Sequence, residues 1–293
     1  MRKPVALLGA GTVAALLAGC GGASSASDDG PVVVAAFYPF AYVAERVAGD
    51  TGTVTNLTAP GVEPHDLELS PQQVASLSEA DLVVYEKAFQ PAVDDAVEQN
   101  VDGATVEVTA VAPLEETTAG DGDPHLWQDP TKLVPVAEAV ADELAEADPD
   151  NADRYRSNAE KLVADLDALD QEFATTLAGC ERQAFVTSHE AFGYLAMRYD
   201  LEMISIAGIA PDAEPSPARL AELRDVVRHE GITTVFTETL VDPAIAETLA
   251  AEADVETGVL DPIEGLTDET NDEDYLSLMR SNLTELAKAN GCG

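Results

Sequence analysis

The stretch DPDNADRYRSNAEKLVADLDALDQEFATTLAG, residues 148–179, decides the fold. Asp148 followed by Pro149 is typical of a helix start, and Gly179 is a suitable residue just past a helix end. Apolar residues recur between them at helical spacing: Tyr155, Leu162, Leu166, Leu169, Phe173 and Leu177. Some 30 residues of helix would be about 45 Å long, the width of a small domain or more. The pattern therefore predicts one long helix that joins two parts of the molecule.

Strands and helices alternate on both sides of this segment. Short apolar runs predict four strands in residues 31–147 and four more in residues 180–293: Pro31–Tyr38, Thr53–Thr58, Ala80–Glu86, Ala104–Thr109, Gln183–Ser188, Glu202–Gly208, Ile232–Glu238 and Glu256–Leu260. Such alternation favours parallel sheets covered by helices on both faces. We therefore predict an α/β fold of two lobes, 31–147 and 180–293, each with a mostly parallel four-stranded sheet flanked by helices. The long helix of residues 148–179 bridges them, and a cleft lies between the lobes.

Charge excludes one class of partner. The 293 residues include 55 Asp and Glu against 15 Lys and Arg, for a net charge of −40. Nucleic acid binding needs clustered Lys and Arg, so we expect no nucleic acid partner. The acids are spread through periodic apolar segments and are interpreted as a solvated face, which suits solubility or life in high salt.

The N-terminus indicates export. Arg2 and Lys3 precede an apolar run, Val5–Ala18, that is too short to be a good membrane span. The run ends in Leu-Ala-Gly-Cys, which resembles the bacterial lipobox, in which the cysteine, here Cys20, is lipidated. We predict a signal peptide over residues 1–19, a flexible tether over residues 20–30, and a folded part held outside the cytoplasmic membrane by the lipid on Cys20. An ordinary secretory signal with an incidental cysteine is the alternative.

Two cysteines remain after Cys20, namely Cys180 and Cys292. An exported pair can oxidise, so we expect a disulfide that ties the start of the second lobe to the end of the chain. Two free thiols, or one buried thiol, are the alternative.

Three histidines and one aspartate fall near predicted strand ends or in a loop between the lobes. His65 follows the second strand, His189 ends the fifth, Asp261 follows the last, and His125 lies before the long helical region. Ligands of open α/β sheets collect at the carboxyl ends of strands. The four residues are 60 or more positions apart, so only the fold can bring them together.

The surrounding motifs are more specific than the spacing. The segments EPHDLELSP, DPHLWQDP and TSHEAFGYLA, with VLDPIEGL near the end, resemble the cluster A-I solute-binding lipoproteins, the zinc- and manganese-binding components of bacterial ABC importers. The resemblance covers the chain from Pro31 to its end. It implies that the protein is not an enzyme, acts as a monomer, and delivers its ion to an ABC transporter permease.

The resemblance implies the ligands of that ion. The family's histidines map to His65, His125 and His189, and its last carboxylate maps to Asp261; Glu63 or water are alternatives for the fourth position. Histidine at the third position is typical of zinc-binding members, and three imidazoles with a carboxylate suit Zn²⁺. We therefore predict high-affinity Zn²⁺ binding, with Mn²⁺ or Fe²⁺ import as the alternative.

Two other functions are alternatives, and further residues could support the metal ligands. A zinc-dependent hydrolase would need a ligand position left for water, and a purely adhesive surface lipoprotein would bind no metal tightly. Metal-bound imidazoles usually donate their second N–H to a carboxylate or carbonyl. Candidates for that role, and for packing beside the site, are Asp66, Asp129, Glu190, Glu238 and Trp127.

Overall fold

The computed structural model describes residues 30–117 and 122–293. The predicted signal peptide, the lipidation site at Cys20 and all but the last residue of the tether lie outside this range. The described residues form eight strands: β1 Val32–Ala35, β2 Thr53–Asn56, β3 Leu82–Tyr85, β4 Ala104–Glu107, β5 Ala184–Thr187, β6 Glu202–Ser205, β7 Thr234–Thr237 and β8 Glu256–Val259. Each lies within one of the eight predicted segments.

The strands form two four-stranded sheets of the same design. The first has the order β2-β1-β3-β4 and the second β6-β5-β7-β8, and every neighbouring pair is parallel. The central strands are fully or largely buried, as expected when helices cover both faces of a parallel sheet. The predicted two-lobed α/β class is therefore confirmed.

Ten α-helices connect and flank the strands in the described part of the chain. Their bounds are α1 Tyr38–Ala48, α2 Pro71–Glu79, α3 Pro91–Asn100, α4 Val108–Val111, α5 Leu133–Ala147, α6 Ala152–Leu177, α7 Gly193–Arg198, α8 Pro217–His229, α9 Ala244–Ala253 and α10 Tyr275–Asn290. Helix α2 begins after Ser70, with Pro71 as its first residue, and the Ser70 side chain accepts the backbone N–H of Gln73. None of these helices combines the length and apolarity needed to cross a membrane.

The long helix α6 connects the lobes. A 3₁₀ turn over Pro149–Asn151 precedes it, so the α-helix begins four residues after the predicted start. The predicted apolar stripe is buried throughout, with Ala159 added. At about 1.5–3 kcal/mol for each large buried apolar side chain, this face outweighs the exposed ion pairs of the helix, each worth about 0–1 kcal/mol. Those pairs reach α6 from three other helices: Arg46–Asp165, Arg198–Asp170 and Arg280–Glu172.

One continuous cluster of buried apolar side chains runs through both lobes. It includes Val34 in the first sheet, the buried face of α6, and Phe185 and Tyr275 in the second lobe. A smaller cluster around Val186 and Leu223 belongs to the second lobe. The lobes thus share a core, while domain boundaries at residues 147 and 179 stay a prediction.

The structure joins Cys180, just after α6, to Cys292, just after α10. The bond links positions separated by 112 residues.

Candidate metal centre

Three loops carry the histidines to one place. His65 lies in the loop between β2 and α2, where the buried Gln90 side chain donates to the carbonyl of Pro64. His125 lies at the start of a 3₁₀ turn, and its backbone N–H donates to Asp123. His189 lies two residues after the end of β5, and its backbone N–H donates to Glu238, the residue after β7. The carboxyl ends of the second sheet's strands therefore help to build the site.

The three imidazoles surround a single carboxylate oxygen. Their ring centroids are 5.3 to 5.9 Å apart. The Nε2 atoms of His65, His125 and His189 lie 3.4, 3.2 and 3.3 Å from Oε1 of Glu264. Among the described residues, these four form the group whose ligand atoms all lie within 4.8 Å of one another. The fold gathers the three histidines as the sequence predicts.

These distances match the edges of a zinc tetrahedron. With bonds of about 2.0 Å to nitrogen and oxygen, the ligand atoms of a tetrahedral zinc site are about 3.3 Å apart. Each of the three Nε2–Oε1 separations is within about 0.1 Å of that value. Nitrogen and oxygen ligands are also the types that zinc accepts. The residues present therefore fit a four-coordinate ion.

The carboxylate that lies among the three histidines is that of Glu264, whereas the predicted Asp261 lies outside the group. One Asp261 oxygen, Oδ1, accepts the backbone N–H of Ile263 at 2.7 Å, so this side chain closes a turn instead of entering the cluster. Ile263 has a φ of 59°, in the left-handed region, and the next residue along is Glu264. Burial raises the pKa of Asp261 to about 6. The structure thus brings Glu264, three residues after Asp261, to the three histidines.

Glu63, the other protein alternative for that position, stands at the edge of the group. Its Oε1 lies 3.9 Å from Nε2 of His65 and accepts the His65 backbone N–H at 3.0 Å. Glu63 is only partly buried, whereas Glu264 is almost fully buried. Its role is to hold the His65 loop.

Two imidazoles are fixed by carboxylates on their second nitrogen. Nδ1 of His125 lies 2.8 Å from Asp123, and Nδ1 of His189 lies 2.6 Å from Glu238. All four side chains are completely buried. A carboxylate on Nδ1 orients the ring and leaves Nε2 free to bind a metal.

Of the four carboxylates that the sequence suggested as partners of the imidazoles, one contacts a ring and three do not. Glu238 has the predicted role, and the structure adds Asp123, which the sequence analysis did not single out. Asp66 is exposed, Asp129 caps a 3₁₀ turn through the N–H of Thr131, and Glu190 accepts the hydroxyl of Ser205. Asp123 precedes His125 by two residues, a short spacing that is not distinctive in a chain with 55 Asp and Glu.

The charges of the cluster are strongly coupled. Burial alone would raise the pKa of Glu264, but the three imidazoles hold that pKa well below its ordinary value. Burial alone would lower the pKa of His189, but the carboxylates of Glu238 and Glu264 raise it to about 10. The pKa of His125 is raised in the same way by Asp123 and Glu264 against the effect of burial. The carboxylates and imidazoles of the cluster therefore stabilise each other's charged forms.

Three buried polar atoms of the cluster lack a well-aligned hydrogen bond within the described residues, although the two nitrogens among them contact Oε1 of Glu264. They are Nε2 of His125, Nε2 of His189 and Oε2 of Glu264. Leaving such atoms unpaired is costly, and a bound ion would satisfy them. This observation independently supports an ion at the centre of the group.

Aromatic rings close one side of the site. Trp127 is fully buried, with its ring centroid 5.2 Å from that of His125, and Phe89 lies 4.6 Å from His65. Trp127 packs beside the site, as the sequence predicts. His229 lies elsewhere, exposed at the end of α8 beside Glu230, and has no part in the group.

The chain is similar to known metal-uptake proteins. The family model for the zinc-uptake complex component A, periplasmic (ZnuA), matches residues 33–289. The chain belongs to the ZnuA family. The family is described as a component of a zinc-uptake complex, which favours uptake of the metal over the hydrolase alternative.

Three relatives of this ZnuA-family chain are informative. The zinc-binding lipoprotein AdcA of Streptococcus pneumoniae is 36% identical over 97% of the chain, and the high-affinity zinc uptake system protein ZnuA of Bacillus subtilis is 32% identical over 92%. The structure of the Zn(II)-bound ZnuA-like domain of AdcA is 35% identical, covers 89% of this chain and 99% of that domain, and has a TM-score of 0.78. The laminin-binding protein Lmb of Streptococcus agalactiae is described as bifunctional, with adhesin and metal transporting activity. Its structure is 31% identical to this chain and has a TM-score of 0.81. The match covers 89% of this chain and 99% of the Lmb chain.

Coverage of these relatives differs. The ZnuA-family chain spans 60% of the length of AdcA but 92% of the Bacillus protein. Functions of the whole AdcA protein therefore do not pass directly to this chain.

Proposed function

We propose that the protein captures Zn²⁺ outside the cytoplasmic membrane and delivers it to the permease of an ABC importer. The observation that carries this proposal is the convergence of three Nε2 atoms on Oε1 of Glu264 at 3.2 to 3.4 Å. Membership of a zinc-uptake family supports the same conclusion. His65, His125, His189 and Glu264 are the proposed ligands.

The ligand set favours binding over catalysis. Four protein side chains complete a tetrahedron, whereas catalytic zinc sites keep one position for water or substrate. The ion is therefore the cargo of this protein. Its release needs a change that moves at least one ligand away.

The same ligand set favours zinc over Mn²⁺ and Fe²⁺. Three imidazoles and one carboxylate suit zinc, while manganese prefers oxygen-rich shells. Cu²⁺ and Ni²⁺ bind nitrogen ligands well, so competition among metals is part of the test. Import of Mn²⁺ or Fe²⁺ is the alternative that this competition addresses.

The location and assembly are proposed on the sequence. Lipidation of Cys20 after the Leu-Ala-Gly-Cys motif would hold a single copy of the protein at the outer surface of the membrane. The tether of residues 20–30 would let the lobes reach the permease. The two zinc-uptake relatives, one of them named a lipoprotein, support this arrangement.

The test is a metal titration of the purified protein. Protein freed of metal with a chelator is titrated with Zn²⁺ against a fluorescent zinc chelator, and then with Mn²⁺ as competitor. We expect one tightly bound zinc per chain, little displacement by Mn²⁺, and loss of tight binding in His125→Ala. His229→Ala is the matched control and should bind as the unaltered protein does. Equal affinity for the two metals, or a larger loss in His229→Ala than in His125→Ala, would overturn the proposal.

A further inference from the structure

The loop that carries Glu264 is held from several directions. It runs from Asp261 to Leu266, after β8, and all of its residues up to Gly265 are buried. Its contacts reach α10, the His125 turn and the His65 loop. The loop is therefore fixed by hydrogen bonds as well as by burial.

Asp261 fixes the first half of this loop. Its backbone N–H donates to Oδ1 of Asn282 at 2.8 Å, and its carbonyl accepts Nδ2 of the same Asn282 at 2.6 Å. Its side-chain Oδ1 accepts the N–H of Ile263 at 2.7 Å. Asp261 is therefore attached to α10 by its backbone and to the turn by its side chain.

The turn itself is strained. Ile263 has a φ of 59°, a left-handed conformation that β-branched residues rarely adopt. Such a conformation persists only where the surroundings enforce it, and it occurs often at binding sites. The Asp261 side chain supplies part of that enforcement, because it holds the N–H of the strained residue itself.

The other side of the loop is attached to two ligand segments. The carbonyl of Pro262 accepts Nε1 of Trp127 at 2.8 Å and also the side-chain amide of Gln128. These donors follow His125 by two and three residues. The carbonyl of Leu266 accepts the N–H of Gly61 at 2.7 Å, four residues before His65. The position of Glu264 is thereby set relative to two imidazoles.

We propose that Asp261 is a positioning residue that sets the coordination number of the bound metal. By closing the turn at Ile263, it holds Oε1 of Glu264 at the tetrahedral distance from the three Nε2 atoms. With the backbone before Glu264 held in this way, we expect the carboxylate to stay bound through Oε1 rather than retreat to admit water or bind through both oxygens. The site therefore discriminates against metals that need five or six ligands. This inference rests on the proposed zinc function.

Asp242 provides a matched control, because it closes a turn of the same kind away from the site. Asp242, followed by a proline as Asp261 is, accepts the N–H of Ala244 at 3.0 Å. It is exposed at the start of α9 and no proposed ligand lies in its turn. Asp242→Ala thus removes the same hydrogen bond without touching the site.

The test uses Co²⁺, whose visible absorption is much stronger in four-coordinate than in six-coordinate sites. The full mature chain and its variants are loaded with Co²⁺, and zinc and manganese affinities are measured alongside. For Asp261→Ala we expect several-fold weaker visible absorption, a loss of zinc affinity of about 10- to 100-fold, and a smaller loss for Mn²⁺. Asp261→Asn keeps a side-chain oxygen for Ile263 and should restore the spectrum, and Asp242→Ala should leave it unchanged.

A second variant protects the test against misfolding. If Asp261→Ala does not fold, Asn282→Ala, which removes both bonds to the Asp261 backbone from outside the loop, should give the same change. An unchanged cobalt spectrum and zinc-to-manganese ratio in the folded variants would overturn this inference alone. Failure of the unaltered protein to bind zinc would instead overturn the proposed function.

Discussion

The imidazoles of His125 and His189 differ from that of His65 in how they are held. The first two are completely buried, and each has a carboxylate on Nδ1. The His65 side chain is 11% exposed, and within the described residues its ring has one hydrogen-bond contact, the 3.4 Å approach to Glu264. Two ligands are therefore in place before the metal arrives, and the third lies on the side that faces solvent. This contrast makes His65 the most accessible of the three imidazoles.

The largest effects are expected on removing the ligands themselves. Both His189→Ala and His65→Ala should lower zinc affinity by more than about 100-fold, because a direct ligand matters more than its supporting residue. Only His189→Ala should also destabilise the metal-free protein, by about 3 kcal/mol, since it removes the imidazole partner of the buried Glu238 carboxylate and leaves it only the backbone N–H of residue 189. Urea unfolding in the presence of a chelator measures the difference. Equal unfolding free energies for the two variants would contradict the claim that His189 is held more firmly than His65.

The supporting carboxylates should have intermediate effects. Glu238→Gln and Asp123→Asn replace the acceptors of the two buried rings and should lower zinc affinity by about 10- to 100-fold each. Chelator competition at neutral pH gives the affinities. The control is Glu190→Gln, because Glu190 is next to His189 in sequence but accepts from Ser205. A loss in Glu190→Gln equal to that in Glu238→Gln would contradict the assignment.

Zinc binding should release protons over a wide pH range. The metal-free His189 has a pKa of about 10, so it is protonated at pH 7 and must lose that proton to bind zinc. Affinity should rise about tenfold per pH unit for each proton released, from mildly acidic pH toward pH 9, and fall in the opposite direction. Calorimetry in buffers with different ionisation enthalpies counts the protons. A zinc affinity that does not change between pH 6 and pH 9 would refute the expectation.

The smallest effect is expected at Glu63. This carboxylate accepts the backbone N–H of His65 and only partly shields the ring. Glu63→Ala removes one partly exposed hydrogen bond and should lower zinc affinity by about 2- to 10-fold. The same titration used for Glu238→Gln measures it. If the two losses were equal, His65 would be as firmly held as the buried pair.

The sequence was sufficient where periodicity and motif context act locally. The stripe from Tyr155 to Leu177 predicts α6, and apolar runs predict every strand with bounds a few residues too long. The three histidines were found through the motifs around them, because single histidines carry little information. The loops of His65 and His189 follow strands, which agrees with the general rule for open α/β sheets.

The fourth ligand depends on a turn that no spacing rule describes. The segment VLDPIEGL holds two carboxylates three residues apart, and a one-dimensional pattern does not say which enters the site. The left-handed Ile263 and its bond to Asp261 decide the matter in favour of Glu264. Asp123 was missed for a related reason, since in a chain with 55 acids a single carboxylate near a histidine is not distinctive.

The central claim is tested most directly by a crystal structure of the zinc-loaded protein, with the ion located by anomalous diffraction at the zinc edge. The account predicts one ion bound by Nε2 of His65, His125 and His189 and by Oε1 of Glu264, with Asp261 still bonded to the N–H of Ile263. An ion ligated by Asp261 in place of Glu264, or one bound away from the three histidines, would contradict it.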